Sequence, residues 1–426
     1  MTARDAAARS LERVLGDDAY LAPCLSAELE RLRLEPRDRG LATELAYGVT
    51  RTEAYLHKRL SAFLSPKKTE LGVWVRLLIA SYEIFFLDRV PVHASVSEAV
   101  SAVRRLRGPK VAGFANAVLR RVAAADKEVT LAEAILASVP SWLRERLESA
   151  VGKGDAEALI GGGAAPVPTL RLREGQLAPE WFEADASPEP LCPSAYRYQA
   201  GGDPRKRVGF SSGVFVVQEL GAQLVARALA VQPGERVLDA CAGRGNKSLL
   251  LAELVGPSGS VTATDLHKSK LEAVLTESGL ASQRGSLRIE SRAWDWTLPP
   301  PPEWIGAFDA VLVDAPCTGL GTLRRRPEIL RRLSAEDPAR LGELQTRLLE
   351  NASKAVRPGG RLVFATCSVL PEEGEGVLSR AETALVSGPS LGGLASLPFA
   401  GEAQFRLSPR LGGSDGYFLA SLRAPD

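Results

Sequence analysis

Through roughly the first 138 residues, apolar side chains recur at intervals of three and four: Leu11, Val14 and Leu15, then Leu41, Leu45 and Val49, then Val75, Leu78, Ile79, Tyr82 and Phe86. That spacing gives each of a series of helices one apolar face. Gly and Pro fall mostly between the runs, as in LDRVPVHAS, where Pro91 precedes a new helix beginning near Val96. No strand-like alternation and no repeat of fixed period interrupts this half, which reads as a compact helical bundle. From Pro140 to about Arg207 the pattern breaks. GGGAAPVP (161–168), LRLRE and a Pro-, Ser- and Gly-rich run to Gly202 predict a linker with a small α/β subdomain attached.

From Val214 the period changes again. ERVLDACAG, SVTATDL, SLRIES, FDAVLVDAPC and GRLVFATCS are short apolar runs rich in Val and Leu. Between them KSLLLAELV, TESGLAS and RLGELQTRLLENASKAV carry helical spacing. Strand, helix, strand in series implies a mostly parallel sheet covered on both faces, with ligands bound beyond the carboxyl ends of the strands. The expected organisation is a helical domain over 1–138, a linker and small α/β subdomain over 139–207, and an α/β domain over 208–426.

Length and composition fit this plan. At ~150 residues per domain, 426 residues allow about three domains. With 45% hydrophobic and 24% charged side chains, collagen, long coiled coil and wholesale disorder are excluded. Lys+Arg 53 against Asp+Glu 51 is nearly balanced, so a nucleic-acid surface must come from local clustering. Cys24, Cys192, Cys241, Cys317 and Cys367 are few, odd in number and scattered, which suits a reducing cytosol better than a disulfide framework or a zinc site. MTARDAAARSLERVL lacks the apolar core of a secretory signal, and Arg76 and Glu83 interrupt the most apolar stretch, Leu71 to Leu87. A soluble cytoplasmic protein that binds no membrane is expected. His57, His93 and His267 are not at metal-ligand spacing, and exposed or capping positions are expected for them.

The chemistry sits after the strands. The first ends in Asp239-Ala240-Cys241-Ala242-Gly243-Arg244-Gly245-Asn246-Lys247, an imperfect dinucleotide fingerprint, and the second ends at Asp265, where an acid can bond ribose hydroxyls. An adenosine-containing cofactor fits this better than other ligands, although a plain tight turn would look similar. The fourth strand ends Asp314-Ala315-Pro316-Cys317 and the fifth Thr366-Cys367-Ser368. If these strands are neighbours, ~4.8 Å apart, both thiols face one crevice. A lone cysteine is usually a small buried hydrophobe. Two at ligand-facing strand ends beside an acid suit attack on a pyrimidine: a thiolate adds to C6, C5 becomes nucleophilic and takes a methyl group, and a second group assists release. Asp314, bonding the N3/N4 edge, would stabilise the charge that develops.

These residues resemble the Nop/Sun family of RNA cytosine-C5 methyltransferases through VVQELGAQL, DACAGRGNK, DAPCTG, TCSVLPEEGE and the C-terminal strand Gly416-Tyr417-Phe418-Leu419-Ala420. The resemblance implies a Rossmann-like class I fold that uses S-adenosylmethionine. It makes Cys367 the nucleophile and Cys317 the group that helps release the product. Cys241, Ala242, Gly243, Arg244, Gly245, Asn246, Lys247, Asp265, Asp295 and Asp314 would line the cofactor and base pocket. The family's Pro-Gly-Gly-Lys reads Arg244-Gly245-Asn246-Lys247 here; Asn tolerates φ > 0 better than most residues, so the loop is still expected to form. Asp295 in SRAWDWT matches the family's third-strand acid by position.

ATELAYGVTRTEAYLHKRL, LLIASYEIFFLDRVPVHASVSEAV and GFANAVLRRV resemble the helical NusB-type RNA-binding domain over residues 4–123. Its union with a Nop/Sun domain points at 16S rRNA, free or in an assembling small subunit, as the partner; no DNA partner is expected, and the oligomeric state, on which the sequence is silent, is taken as monomer. Arg104, Arg105, Arg107, Lys110, Arg120 and Arg121 form a local basic cluster suited to phosphates or to a plain solvated helix face, and Arg324, Arg325 and Arg326 could hold RNA at the mouth of the pocket. The competing reading is a non-catalytic RNA-binding, antitermination or ribosome-assembly factor with a degenerate methyltransferase domain, which the altered loop alone supports. A dehydrogenase leaves the paired thiols unexplained.

Overall fold

The computed structural model describes residues 2–65, 68–125, 129–161, 166–282, 287–388 and 402–426. Residues 162–165 of the glycine-rich run lie outside them. Two compact units are present: Met1–Arg146 with Ala156–Ala165 and Leu323–Leu333, and Leu147–Asp155 with Pro166–Thr322 and Ser334–Asp426.

The first is helical. It contains α1 (Ala3–Asp17), α2 (Leu21–Leu32), α3 (Pro36–Arg51), α4 (Glu53–Ser61), α5 (Leu71–Phe86), α6 (Val92–Ala124) and α7 (Leu131–Ala137), and the chain continues through α8 (Ser141–Val151) and α9 (Lys153–Ile160). Thr2 and Asp5 cap α1 reciprocally, each backbone N–H donating to the other's side chain. Leu11, Leu45, Val49, Val75, Leu78 and Tyr82 are fully buried in one core, as their spacing requires. Two boundaries differ from expectation. α6 starts at Val92 rather than near Val96, because the Pro91 carbonyl already accepts from Ala94 and Ser95. The same helix bends at Gly108, whose φ is 79°, next to Pro109, which has no N–H to give the ladder.

The second unit contains two sheets. The smaller is antiparallel: β1 (Thr169–Leu172), β2 (Ala186–Pro188), β3 (Ala195–Tyr198) and β4 (Phe215–Val217) in the order β2-β3-β1-β4, with α10 (Trp181–Asp185). The larger comprises β5 (Arg236–Asp239), β6 (Ser260–Asp265), β7 (Ile289–Ala293), β8 (Phe308–Asp314), β9 (Val356–Thr366), β10 (Val386–Ser387), β11 (Gln404–Leu407) and β12 (Tyr417–Arg423). Its order is β10-β12-β9-β8-β5-β6-β7, with β11 beside β12. β5 to β9 pair in parallel and β12 runs antiparallel to β9. Alternate residues enter opposite cores: Val237, Leu312 and Val363 pack toward α11 (Leu220–Ala228) and α12 (Asn246–Val255). Leu238, Val313 and Phe364 pack toward α14 (Asp337–Ser353) and α15 (Glu375–Arg380). The sheet is thus apolar on both faces, which is why its strands read as continuous hydrophobic runs. α13 (Lys268–Ser282) lies between β6 and β7 in sequence. This is the Rossmann-like arrangement expected, and the order reverses between β5 and β8, where such sheets bind ligands. Among the described residues, no helix is long and apolar enough to cross a membrane.

Candidate active site

Asp239, Asp265, Asp314 and Thr366 close four parallel strands and so share one edge of the sheet. The register sets Asp239 beside Leu312 and Asp314 beside Ala365. The segments leaving these strands therefore meet over the gap between β5 and β8.

The turn after β5 is built on two glycines in the left-handed region, Gly243 at φ 57° and Gly245 at φ 85°. A Cβ on Gly245 would come within 2.7 Å of Val274, so only glycine fits. Asn246 is the first residue of α12 and has no positive φ. The expected need for Asn246 to tolerate φ > 0 is thereby corrected: both left-handed positions fall on the retained glycines. Gly243 N–H donates to Asp265 Oδ2 at 3.1 Å, and Asp265 also accepts from His267 N–H at 2.8 Å and pairs with Lys270 at 3.3 Å. Ala242 N–H donates to the Thr264 carbonyl at 2.7 Å, and Arg244 points its charge into solvent. Beyond β7, Trp294 N–H reaches the Asp265 carbonyl at 3.2 Å, which brings Asp295 alongside; Asp295 Oδ1 accepts from Thr297 N–H and Oγ1 at 2.9 and 2.7 Å. Leu266, directly after Asp265, is 61% exposed, an apolar side chain at the pocket that the sequence pattern did not single out.

Three groups lie deeper. Asp239 is buried and accepts from Ser248 Oγ at 2.7 Å; burial nevertheless pushes its carboxyl up to about 6. Cys241 is raised well above the thiol range by burial, then by the charges of Asp239 and Asp314, so it stays neutral. Lys247 Nζ stands 2.5 Å from Asp314 Oδ2 and 5.9 Å from the Tyr417 ring centroid. Burial works against the ammonium, but the charge and hydrogen bond of Asp314 outweigh it and the net shift is upward.

The Sγ atoms of Cys317 and Cys367 are 3.1 Å apart. The hydrogen bond to Cys367 raises Cys317 far above the ordinary thiol range, and burial and the Cys367 charge add to it. Cys317 therefore keeps its proton, and either sulfur is placed to donate to the other. The loop between them is tightly held. Gly321 N–H donates to the Cys367 carbonyl at 2.9 Å and Gly416 N–H to the Gly321 carbonyl at 2.9 Å. A Cβ on Gly321 would lie 1.9 Å from the Gly416 oxygen, so this position too admits only glycine.

The basic residues divide. Arg104 and Arg120, one from each arm of the bent α6, line a cleft of about 800 Å³ together with His93 and Asn116. Arg105 lines a different depression with Glu83, and Arg107 is paired with Glu70. Arg105, Lys110 and Arg121 are exposed. Arg324 corrects an expectation: it is 8% exposed, within the 323–333 segment of the helical unit, and its carbonyl accepts from Arg51 at 2.7 Å. A side chain so buried presents no charge to a ligand, and of the three arginines only Arg326 is exposed. In the same segment Glu328 accepts from Leu21 N–H and Arg331 pairs with Glu53. His57, His93 and His267 are exposed.

Residues 226–423 match the family described as 16S rRNA methyltransferase RsmB/F, and residues 1–124 match the NusB family. A ribosomal RNA small subunit methyltransferase B from Pseudomonas syringae pv. tomato is 33% identical, covering 99% of this chain and 97% of its own. One from Xanthomonas campestris pv. campestris is 36% identical over 88% of this chain and 86% of its own. Among solved structures, the crystal structure of PH0851 superposes with a TM-score of 0.80 over 99% of both chains at 22% identity, a likeness of fold.

Proposed function

Because the chain belongs to the RsmB/F family of 16S rRNA methyltransferases, we propose that it transfers a methyl group from S-adenosylmethionine to C5 of a cytosine in 16S rRNA, through a transient bond from Cys367 to C6. The observation that carries this reading is the Cys317–Cys367 contact of 3.1 Å at the ends of two adjacent parallel strands, beside the Lys247–Asp314 pair.

The two thiols differ in the way the reaction needs. Cys317 is raised and holds its proton against the Cys367 sulfur 3.1 Å away, which leaves Cys367 as the attacking thiol. Cys367 Sγ adds to C6, the C5=C6 electrons move to C5, and C5 takes the methyl group. The C5 proton then passes to water, the C5–H electrons reform C5=C6, and the Cys367–C6 bond breaks with its electrons returning to sulfur. Cys317 assists this last stage beside the departing sulfur. Asp314, fixed by Lys247, bonds the N3/N4 edge and stabilises the charge that builds on the ring during attack. The base is presented single-stranded or flipped, since attack at C6 needs the ring face.

The cofactor supplies the electrophilic methyl. The turn suits it: a Cβ on Gly243 would meet nothing within 4 Å, so open space borders that backbone, and exposed Leu266 offers a face for a planar ring. Cys241 to Lys247, Asp265, Asp295 and Asp314 form its pocket, with Asp265 on the ribose. In this reading residues 1–138 bind RNA, residues 139–207 link, and residues 208–426 catalyse, in a monomer acting in the cytoplasm without metal, membrane or DNA. Arg104 and Arg120 are the phosphate contacts of the basic cluster. The non-catalytic alternative loses its one support, since both left-handed turn positions are glycine.

The test is methyl transfer from labelled S-adenosylmethionine to unmodified 16S rRNA by wild type and Cys367→Ala. Label recovered as 5-methylcytosine with wild type alone is expected. An active Cys367→Ala enzyme would remove that residue from the nucleophile's role, and no transfer with RNA binding intact would favour a binding factor or another RNA.

A further inference from the structure

Glu373 lies six positions beyond Cys367 and is completely buried, on a loop the proposed reaction does not use. Its Oε1 accepts the Thr318 backbone N–H at 2.8 Å and Gln345 Nε2 at 3.1 Å, and its Oε2 accepts the Thr318 hydroxyl at 2.5 Å. The same Gln345 nitrogen donates to the Pro316 carbonyl at 2.9 Å. Both chain neighbours of Cys317 therefore hang on one carboxylate, Thr318 directly and Pro316 through Gln345. The other end of the linkage is the Cys367 loop itself, where the Thr366 hydroxyl donates to the Glu373 carbonyl at 3.2 Å.

A buried carboxylate is costly, and burial does push this one upward while Ser368, Thr318 and Gln345 pull it back. An apolar residue would fill the space more cheaply. What it could not do is accept from these converging donors: an ionised carboxylate is acceptor-only, whereas an amide replaces one oxygen with an N–H group that faces another donor.

We infer that Glu373 is a positioning residue that fixes Cys317 against Cys367 and so governs release of the methylated base. The inference rests on the proposed cytosine-C5 reaction. Three of its side-chain hydrogen bonds come from Thr318 and Gln345 on the Cys317 side, against one from Ser368 beside Cys367, so its loss should disturb release more than attack, and none comes from the Gly243 turn that would hold the cofactor.

The test uses full-length Glu373→Gln and Thr318→Val with unmodified 16S rRNA and S-adenosylmethionine. Three quantities are read: label incorporated in the first turnover, steady-state turnover, and denaturant-stable protein–RNA adduct, with the cofactor Kd measured by calorimetry. Glu373→Gln is expected to keep the Kd within about twofold and most first-turnover methylation. Steady-state turnover should fall about ten- to a hundredfold, the worth of a lost hydrogen bond to a charged group, and adduct should accumulate. Thr318→Val removes only the hydroxyl donor and should give the same pattern more weakly, with the double variant no worse than Glu373→Gln alone. Normal release by Glu373→Gln overturns the inference. So does equal loss of cofactor binding, attack and release in that variant alongside wild-type behaviour of Thr318→Val. A wild type that makes no 5-methylcytosine overturns the parent reading, and the control without substitution separates that outcome from the others.

Discussion

Lys247 Nζ and Asp314 Oδ2 stand 2.5 Å apart, joining the helix that follows the first parallel strand to the end of the fourth. Each is mostly shielded, with side chains 14% and 23% exposed. The lysine in turn is raised above its ordinary range by the charge and hydrogen bond of Asp314, against the effect of burial. Asp314→Asn leaves the ammonium without its counter-charge, so the lysine pKa falls. Methyl transfer is expected to drop by about a hundredfold or more, with a loss of stability of about 1–3 kcal/mol. Steady-state kinetics and denaturant titration check the two separately.

The cysteines should separate by what accumulates. Cys367→Ala gives neither methyl transfer nor adduct. Cys317→Ala methylates once and stops, leaving protein and RNA joined through Cys367. Denaturing gel electrophoresis of labelled RNA distinguishes them: a retarded band for Cys367→Ala, or none for Cys317→Ala, contradicts the assignment of roles.

Asp239 gives a pH dependence of stability. Its folded carboxyl sits at about 6, above the ordinary 3.8. The folded state therefore binds the proton more tightly than the unfolded one. Its contribution is most favourable below about 3.8 and is lost as pH rises to about 6. Above that the buried charge costs on the order of 3 kcal/mol. Asp239→Asn keeps an oxygen for Ser248 and removes the charge. Thermal unfolding at pH 8 should show a gain, shrinking toward pH 4. An equal shift at both pH values contradicts this.

The altered turn predicts a contrast between neighbours. Asn246→Gly should leave cofactor affinity within about twofold, since Asn246 already has ordinary helical geometry and needs no extra freedom. Gly245→Ala, forced toward Val274 at a positive φ, should cost about 1–3 kcal/mol and abolish binding. Calorimetry with S-adenosylmethionine on both variants decides, and a Gly245→Ala protein that binds normally would show that the turn has room to shift.

Much of this was written in the sequence, for identifiable reasons. Four of the five parallel strands, β5, β6, β8 and β9, are largely buried, so their apolar runs stood out, and each ended in a polar residue at the same edge. Cys317 and Cys367 could be brought together on paper because adjacent strands lie one hydrogen-bond spacing apart. The antiparallel sheet was harder to see, since Thr169–Leu172 and Phe215–Val217 are too short to display a period. The bend at Gly108 was readable as a Gly-Pro pair but not as the feature that sets Arg104 and Arg120 in one cleft. Arg324 looked like an exposed charge because burial of an arginine depends on segments distant in sequence, which a run of three arginines does not reveal. Glu373 was present in the TCSVLPEEGE run, but a motif does not say which way a carboxylate faces.

The Gly416–Gly321 hydrogen bond has a consequence for synthesis. β12 covers the outer edge of β9, and the amide just before it clamps the loop that carries Cys317. A ribosome makes these parts in order, so both cysteines have emerged well before their clamp. Until residue 417 follows, the nascent chain carries an uncovered strand edge next to a half-assembled pair of thiols, exposed to aggregation. Reactivity arrives late, with the pocket completed only after β12 has been translated.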